Sequence, residues 1–295
     1  NFTALVMTSG NLKDEPIAIE NGEALRRLGG CADYFLMHDR DIYFRTDDSV
    51  IKTFPLSGTR KEVVTRRARG YTPQPVFLKE EVVPVLAVGG EMKNAVCLTR
   101  GKTAFLSQHI GEMGYRETYE HFLKTIHHLK RILTIEPRAV ACDLHPGYAT
   151  TGFADVQQEL PVFRVQHHHA HIVSCLAENR VKERVIGVAC DGTGFGSDGT
   201  VWGGEFLIAD YSSFERAAHL TPVPLPGGDQ AVRKPWRMAL SYLATFCGDC
   251  GYNELKILRK QSGRDKELVL KLIQSGFNSP LTSGMGRLFD AVSAL

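Results

Sequence analysis

The stretch that most constrains this chain is Val165-Gln-His167-His168-His169-Ala-His171, followed downstream by Ala189-Cys-Asp191-Gly-Thr-Gly-Phe-Gly-Ser-Asp198. Four histidines fall within five positions. Before them lies an apolar, strand-like run, Pro161-Val-Phe-Arg-Val165, and after them a helical pattern, Ile172-Val-Ser-Cys-Leu-Ala-Glu178. Open α/β sheets place their chemistry at such strand-to-helix junctions. On a helix, His167 and His171 are four apart and share a face, so two imidazoles can converge on one cation. His168 and His171, three apart, could do the same, and spacing alone does not choose between the pairs. Asp191 ends a run that reads as a buried strand, Arg184-Val-Ile-Gly-Val-Ala-Cys190, and its carboxylate is the natural third ligand. Zinc and iron both suit two imidazoles and a carboxylate.

With 295 residues the chain can build one large or two medium domains. Its net charge of +2, from 35 basic and 33 acidic side chains, gives no reason to expect a long nucleic-acid groove or an anionic membrane as partner. Seven cysteines without framework spacing point to free thiols in a reducing compartment. Cys247-Gly-Asp-Cys250 is a single CxxC and carries little weight as a metal knuckle. No apolar run has the length of a membrane span, and a cytoplasmic protein is expected. The chain opens within a strand-like run and closes within a helical one without a stop signal, so it reads as an internal piece of something longer.

Along the chain, residues 3–8 read as a strand entering the polar turn Thr8-Ser9-Gly10-Asn11, which offers hydroxyl, amide and N–H donors to an anion. A short helix is expected over Glu20 to Leu28, a strand over Ala32 to His38 and another around Asp48 to Lys52. Arg66, Arg67 and Arg69, ahead of a proline-rich segment, look like an anion-binding edge leading into a linker over 71–81. Val82 to Val88 reads as a buried strand ending in Gly89-Gly90-Glu91-Met-Lys93-Asn94. Ala95–Leu98 and Thr103–Leu106 are expected to pair as a hairpin across Arg100-Gly101-Lys102. Tyr115 to Leu133 has the periodicity of a helix with one buried stripe. The pattern of strand, glycine turn and strand recurs at Arg184 to Ile208, suggesting a duplicated nucleotide-type fold of the actin-like ATPase kind. Its turn, with Gly192, Gly194 and Gly196, has glycines that could let backbone N–H groups approach an anion.

An ordered set of motifs goes further. Thr8-Ser-Gly-Asn11-Leu-Lys-Asp-Glu-Pro-Ile, His38-Asp-Arg40 with Asp47-Asp-Ser49-Val, Arg66-Arg-Ala-Arg-Gly-Tyr71 and Gly89-Gly-Glu-Met-Lys93-Asn94 come first. Leu106-Ser-Gln-His109-Ile-Gly, Cys142-Asp-Leu-His145-Pro, the histidine run and Asp191-Gly-Thr-Gly follow. Together they resemble the HypF carbamoyltransferases of [NiFe] hydrogenase maturation, nearly from end to end. The resemblance implies an α/β chain in which residues 1–70 are the C-terminal part of a YrdC-like domain. Residues 82–295 would then be an incomplete actin-like domain similar to the universal tRNA threonylcarbamoyl transferases. It further implies conversion of carbamoyl phosphate and ATP to carbamoyl adenylate, then transfer of the carbamoyl group to the C-terminal cysteine of HypE, on the way to the cyanide ligand of iron. By motif, Ser9, Asn11 and Ser49 would hold ATP and Mg2+, with Arg66 and Arg67 near the phosphates. His167, His171 and Asp191 would bind a divalent metal, so the resemblance selects one of the two histidine pairs. Lys93 and Asn94, taken as catalytic, would line the nucleotide cleft with Gly192, Gly194 and Gly196. Two other readings are an O-carbamoyltransferase acting on a small molecule and an RNA-binding module. The near-neutral charge and the lack of interleaved aromatics speak against the second.

Overall fold

The computed structural model describes residues 3–12, 15–56, 58–157, 159–248 and 255–295. The chain divides into two units, Asn1–Arg164 and Val165–Leu295. In chain order the first unit holds α1 (Asn21–Leu28), β1 (Val50–Leu56), β2 (Thr59–Arg66), β3 (Pro75–Val82), β4 (Val85–Ala87), β5 (Cys97–Leu106), α2 (Arg116–Leu133), β6 (Ala139–Asp143), α3 (Ala149–Asp155) and β7 (Val162–Val165), the last crossing into the next unit by one residue. The second continues with α4 (His167–Asn179), β8 (Val185–Phe195), β9 (Val201–Ala209), β10 (Phe214–His219), β11 (Val223–Pro224), α5 (Asp229–Arg233), α6 (Trp236–Phe246), α7 (Lys256–Arg259), α8 (Gly263–Ser275), β12 (Leu281–Thr282) and α9 (Met285–Ala294).

A mixed sheet of order β3-β5-β4-β6-β7 organises the first unit. Strand β5 is antiparallel to β3 and β4, and β4 is parallel to β6. Helix α2 lays Phe122, Ile126 and Leu129 on Leu86, Val88, Leu98 and Val140, all buried. That four-, then three-residue spacing puts the apolar side chains on one stripe. Burying such side chains contributes about 1.5–3 kcal/mol each. The expected hairpin across Arg100-Gly101-Lys102 does not form. Gly101, at φ 56°, redirects one continuous strand instead. The first part of β5 then pairs with β4 and the later part with β3, so partners on both sides hold it extended. Part of the expected linker, from Pro75 on, is strand β3.

The N-terminal expectations fare unevenly. Helix α1 forms where the pattern places it, and its Glu23 accepts hydrogen bonds from Arg27 and Arg45. β1 and β2 make an antiparallel pair. Residues 3–8 and 32–38 are not strands: Val6, Met7, Tyr34 and Leu36 stand in solvent. A strand needs a neighbour to take its N–H and C=O groups, and the described residues supply none here.

In the second unit β9 is the hub. It is flanked antiparallel by β8 and β10 and joined in parallel by the short β12, which pairs with β11. Helix α4 packs Ile172 and Leu176 against Trp202 and Leu207 of β9. Trp236 lies in a separate helical core with Leu240, Leu258 and Val269. Glycines make the close layers possible: a Cβ on Gly187 would come within 2.3 Å of Ile172, and one on Gly203 within 2.6 Å of the Asp191 carbonyl oxygen. Cys250 of the CxxC lies outside the described residues. No helix among the described residues is long and apolar enough to cross a membrane.

Candidate functional site

Gln166 starts the site. Its extended backbone ends β7, and its side-chain oxygen accepts the N–H of His169 at 2.9 Å, capping α4. The helix therefore begins at His167, and one turn later His171 lies on the same face, with the two Nε2 atoms 3.2 Å apart. Asp191 reaches the same place from β8. The ladder with β9 is interrupted between Cys190 and Gly194, and this irregularity takes Asp191 out of register. Its Oδ2 lies 3.3 Å from His167 Nε2, and one donor atom from each of His167, His171 and Asp191 falls within 4.8 Å of the others. A tetrahedral ion with bonds of about 2.0–2.1 Å holds its donors roughly 3.3 Å apart, so the donor set fits zinc or a similar divalent ion.

The electrostatics agree with the geometry. Burial alone would raise the Asp191 carboxyl, but hydrogen bonds from His167 and the Gly192 N–H outweigh it and hold the pKa at about 2. The acid is thus ionised at any pH where a metal would bind. His168 and His169 lie outside that donor set. His169 donates Nε2–H to the Asp210 carbonyl at 2.8 Å. His168 is fully buried, and desolvation, with the positive field of His167, lowers its pKa to about 4.

The glycines that follow Asp191 serve packing and turn closure. A Cβ on Gly194 would sit 2.4 Å from His168 Cε1, and one on Gly196 2.2 Å from Trp202 Nε1. The Gly196 N–H donates to the Thr200 carbonyl and the Gly192 N–H to Asp191 Oδ1. Those two N–H groups are therefore already spent, which runs against the expectation that this turn offers them to an anion. Arg287 of α9, buried and paired with Asp290 at 2.9 Å, has its guanidinium 3.4 Å from where a Gly192 Cβ would be. The sequence reading gave Arg287 no role. A local cue is the pair of glycines before it, Gly284 and Gly286, which lets α9 approach Gly192.

In the first unit, Arg66, Arg67 and Lys93 line one cavity of about 220 Å3 together with Ser107 and His109. The residue type alone does not mark His109 as part of a site. Burial and the charges of Arg66 and Lys93 hold it below the usual histidine range, against an opposing pull from Asp47. Lys93 adopts a left-handed backbone, φ 50°. Asn94 is buried and donates its amide to the Val88 and Gly90 carbonyls at 2.9 and 2.7 Å, so it pins the turn that presents Lys93. Ser9, Asn11 and Ser49 do not line that cavity. Ser9 donates to Asn11 Oδ1 at 2.5 Å, and Asn11 donates to the Leu12 and Glu15 carbonyls. Ser49 bridges Arg69 and Ala68, donating to the former's carbonyl and accepting the latter's N–H, both at 2.9 Å.

Three family models match the chain. Residues 1–68 match the Sua5–YciO–YrdC model described as "Telomere recombination". Residues 80–178 match "HypF Kae1-like domain", and 187–295 match "Carbamoyltransferase, Kae1-like Domain, second subdomain". The chain is similar to carbamoyltransferase HypF2 of Cupriavidus necator, 45% identical over 99% of this chain and 36% of that protein. It is 42% identical to carbamoyltransferase HypF of a Synechocystis strain over 99% of this chain and 39% of that one. It superposes on a crystal structure of full-length HypF in the phosphate- and nucleotide-bound form with a TM-score of 0.90 at 45% identity, over 97% of this chain and 44% of that one. For the HypF of T. kodakarensis the TM-score is 0.88 at 36% identity, over 97% and 39%. The chain thus spans less than half the length of these relatives. With mixed α/β architecture, a YrdC-type segment and a Kae1-like, actin-type domain carrying its histidine pair and acid, the chain belongs to the HypF carbamoyltransferase family.

Proposed function

We propose that this chain is the central part of an enzyme that joins ATP and carbamoyl phosphate into carbamoyl adenylate and passes the carbamoyl group to the C-terminal cysteine thiol of HypE, for cyanide ligand synthesis in [NiFe] hydrogenase maturation. The observation that carries the reading is the meeting of His167, His171 and Asp191 in a chain so close to HypF relatives, one of them solved with phosphate and nucleotide. Residues 1–70 would be the end of the activating domain, 71–81 its connection, and 82–295 the front of the transfer domain. In the first, Ser9, Asn11 and Ser49 would hold ATP and Mg2+, while Arg66 and Arg67 would face phosphate. In the second, Lys93, presented by Asn94, would stabilise the departing AMP as negative charge develops on it. His167, His171 and Asp191 would hold a divalent ion, zinc or iron. When bound, the ion supplies a Lewis acid that polarises the carbamoyl carbonyl or anchors the adenylate phosphate. A mixed anhydride hydrolyses readily, so sites that exclude water favour transfer over loss. Free cysteines throughout the described residues suit the reducing cytoplasm.

The test is nucleotide turnover by the full-length protein. It should convert ATP to AMP and pyrophosphate only when carbamoyl phosphate is present, and label from carbamoyl phosphate should then appear on HypE but not on a HypE variant lacking its C-terminal cysteine. AMP release that is the same without carbamoyl phosphate would overturn the reading. Labelling of a small hydroxyl compound in preference to HypE would point to the O-carbamoyltransferase instead.

A further inference from the structure

His168 lies within the histidine run but outside the group that converges on the candidate ion. Its surroundings assign it a different job. The amide of Gln166 is oriented by its own contacts: Oε1 accepts the His169 N–H, so the other end is the NH2 group. That NH2 lies 3.1 Å from the Phe195 carbonyl oxygen and 3.2 Å from His168 Nδ1. A donor facing Nδ1 makes that nitrogen the acceptor, so a neutral imidazole carries its proton on Nε2. His168 Nε2 is buried and has no hydrogen-bond partner, and Asp191 Oδ2 lies 3.7 Å away. The ring has little room to turn elsewhere, with Gly194 against its Cε1 and Trp202 at a centroid distance of 6.2 Å.

We propose that His168 is a positioning residue: its Nε2–H, set by Gln166, aims at the Asp191 carboxylate and fixes the oxygen that completes the His167–His171 pair, without itself joining the donor set. This rests on the metal reading given above. A shift of the carboxylate by a fraction of an ångström would turn the 3.7 Å approach into a hydrogen bond, satisfying a buried donor. Supporting partners of this kind typically alter metal affinity by about tenfold to a hundredfold when removed. The Gly194 contact has the same logic, because a side chain there would displace the ring that does the aiming.

The experiment measures zinc affinity by chelator competition on the full-length protein, and the nitrogen count around the bound zinc by X-ray absorption. Two variants remove the proposed donor in different ways. His168→Phe deletes it while keeping bulk. Gln166→Glu keeps an acceptor for the His169 N–H but presents a carboxylate to Nδ1, which draws the imidazole proton there and turns a lone pair towards Asp191. Both should weaken zinc binding by about tenfold to a hundredfold while the number of imidazoles on zinc stays the same. His168→Gln, which retains an N–H donor, should recover most of the affinity. Unchanged affinity in both His168→Phe and Gln166→Glu would overturn the proposal. So would loss of one imidazole from the zinc shell in His168→Phe, since His168 would then be a ligand. Wild-type protein that binds no zinc or iron would instead remove the metal reading itself, and this assignment with it.

Discussion

The histidine–aspartate cluster and the polar turn at residues 8–11 look alike as sequence: each is a short polar run beside a strand-like stretch. Their structures differ. In the cluster, donors from α4 and β8 converge within 4.8 Å, and glycines press the elements together. In the turn, Ser9 bonds to Asn11 and Asn11 to nearby carbonyls, so the polar groups satisfy each other at the surface. The difference is one of framing. A site is pre-organised when two regular elements hold its residues from opposite directions. A turn beside a segment that has no strand partner among the described residues has only local contacts to shape it.

The comparison can be pressed by experiment. The largest effect is expected for His171→Ala, which leaves His167 and Asp191 as an incomplete pair. On the proposed function, bound metal and carbamoyl transfer to HypE by the full-length protein should fall by more than about a hundredfold, with carbamoyl-phosphate-dependent AMP formation largely retained. Elemental analysis and the two half-reaction assays check this, and equal loss of both half-reactions would contradict the division of labour. Next, Gly194→Ala puts a methyl 2.4 Å from His168 Cε1 and should lower stability by about 1–3 kcal/mol, read from denaturant or thermal unfolding. An unchanged midpoint would show that the cluster is less tightly framed than its glycines imply.

A third prediction concerns how the N-terminal segment is held. Phe44 packs on His121 at 5.1 Å between centroids, and Thr46 donates to Gln108 at 2.9 Å. Burial lowers His121 to about 4, with Arg45 and Lys124 adding to the effect, so the folded chain keeps it neutral. The unfolded chain takes up the proton first. Stability should therefore be full above about pH 6.5 and fall as pH drops towards about 4, by roughly 3 kcal/mol. Equilibrium unfolding across that window should show a shallower slope for His121→Phe; the same slope in both proteins would contradict it. The smallest effects belong to the polar groups near the turn. Ser49→Ala should cost about 1 kcal/mol, because one hydroxyl bridges two backbone groups. Ser9→Ala should stay within about 0.5 kcal/mol in stability while weakening ATP binding, as isothermal titration would show.

Legibility follows the same division. The helix over Tyr115 to Leu133 was readable because periodicity and burial coincide in Phe122, Ile126 and Leu129. The pairing of His167 with His171 needs the helix to begin at His167, which spacing alone leaves open and the capping side chain of Gln166 fixes. In β5 Arg-Gly-Lys signals a hairpin turn, whereas partners on both flanks keep the chain extended through Gly101. Val6, Tyr34 and Leu36 alternate like strand residues yet stay exposed, since alternation specifies a face but supplies no partner. The glycines ahead of Arg287 show that α9 can pack closely, but which groups Arg287 and His109 meet depends on contacts that are long in sequence.

The most direct measurement of the central claim is anomalous diffraction from crystals of the intact protein, collected on both sides of the zinc and iron absorption edges. The account predicts a single strong peak bounded by His167 Nε2, His171 Nε2 and a carboxylate oxygen of Asp191, absent in His171→Ala. A map with no peak there in metal-replete protein, or one that persists unchanged in His171→Ala, would contradict it.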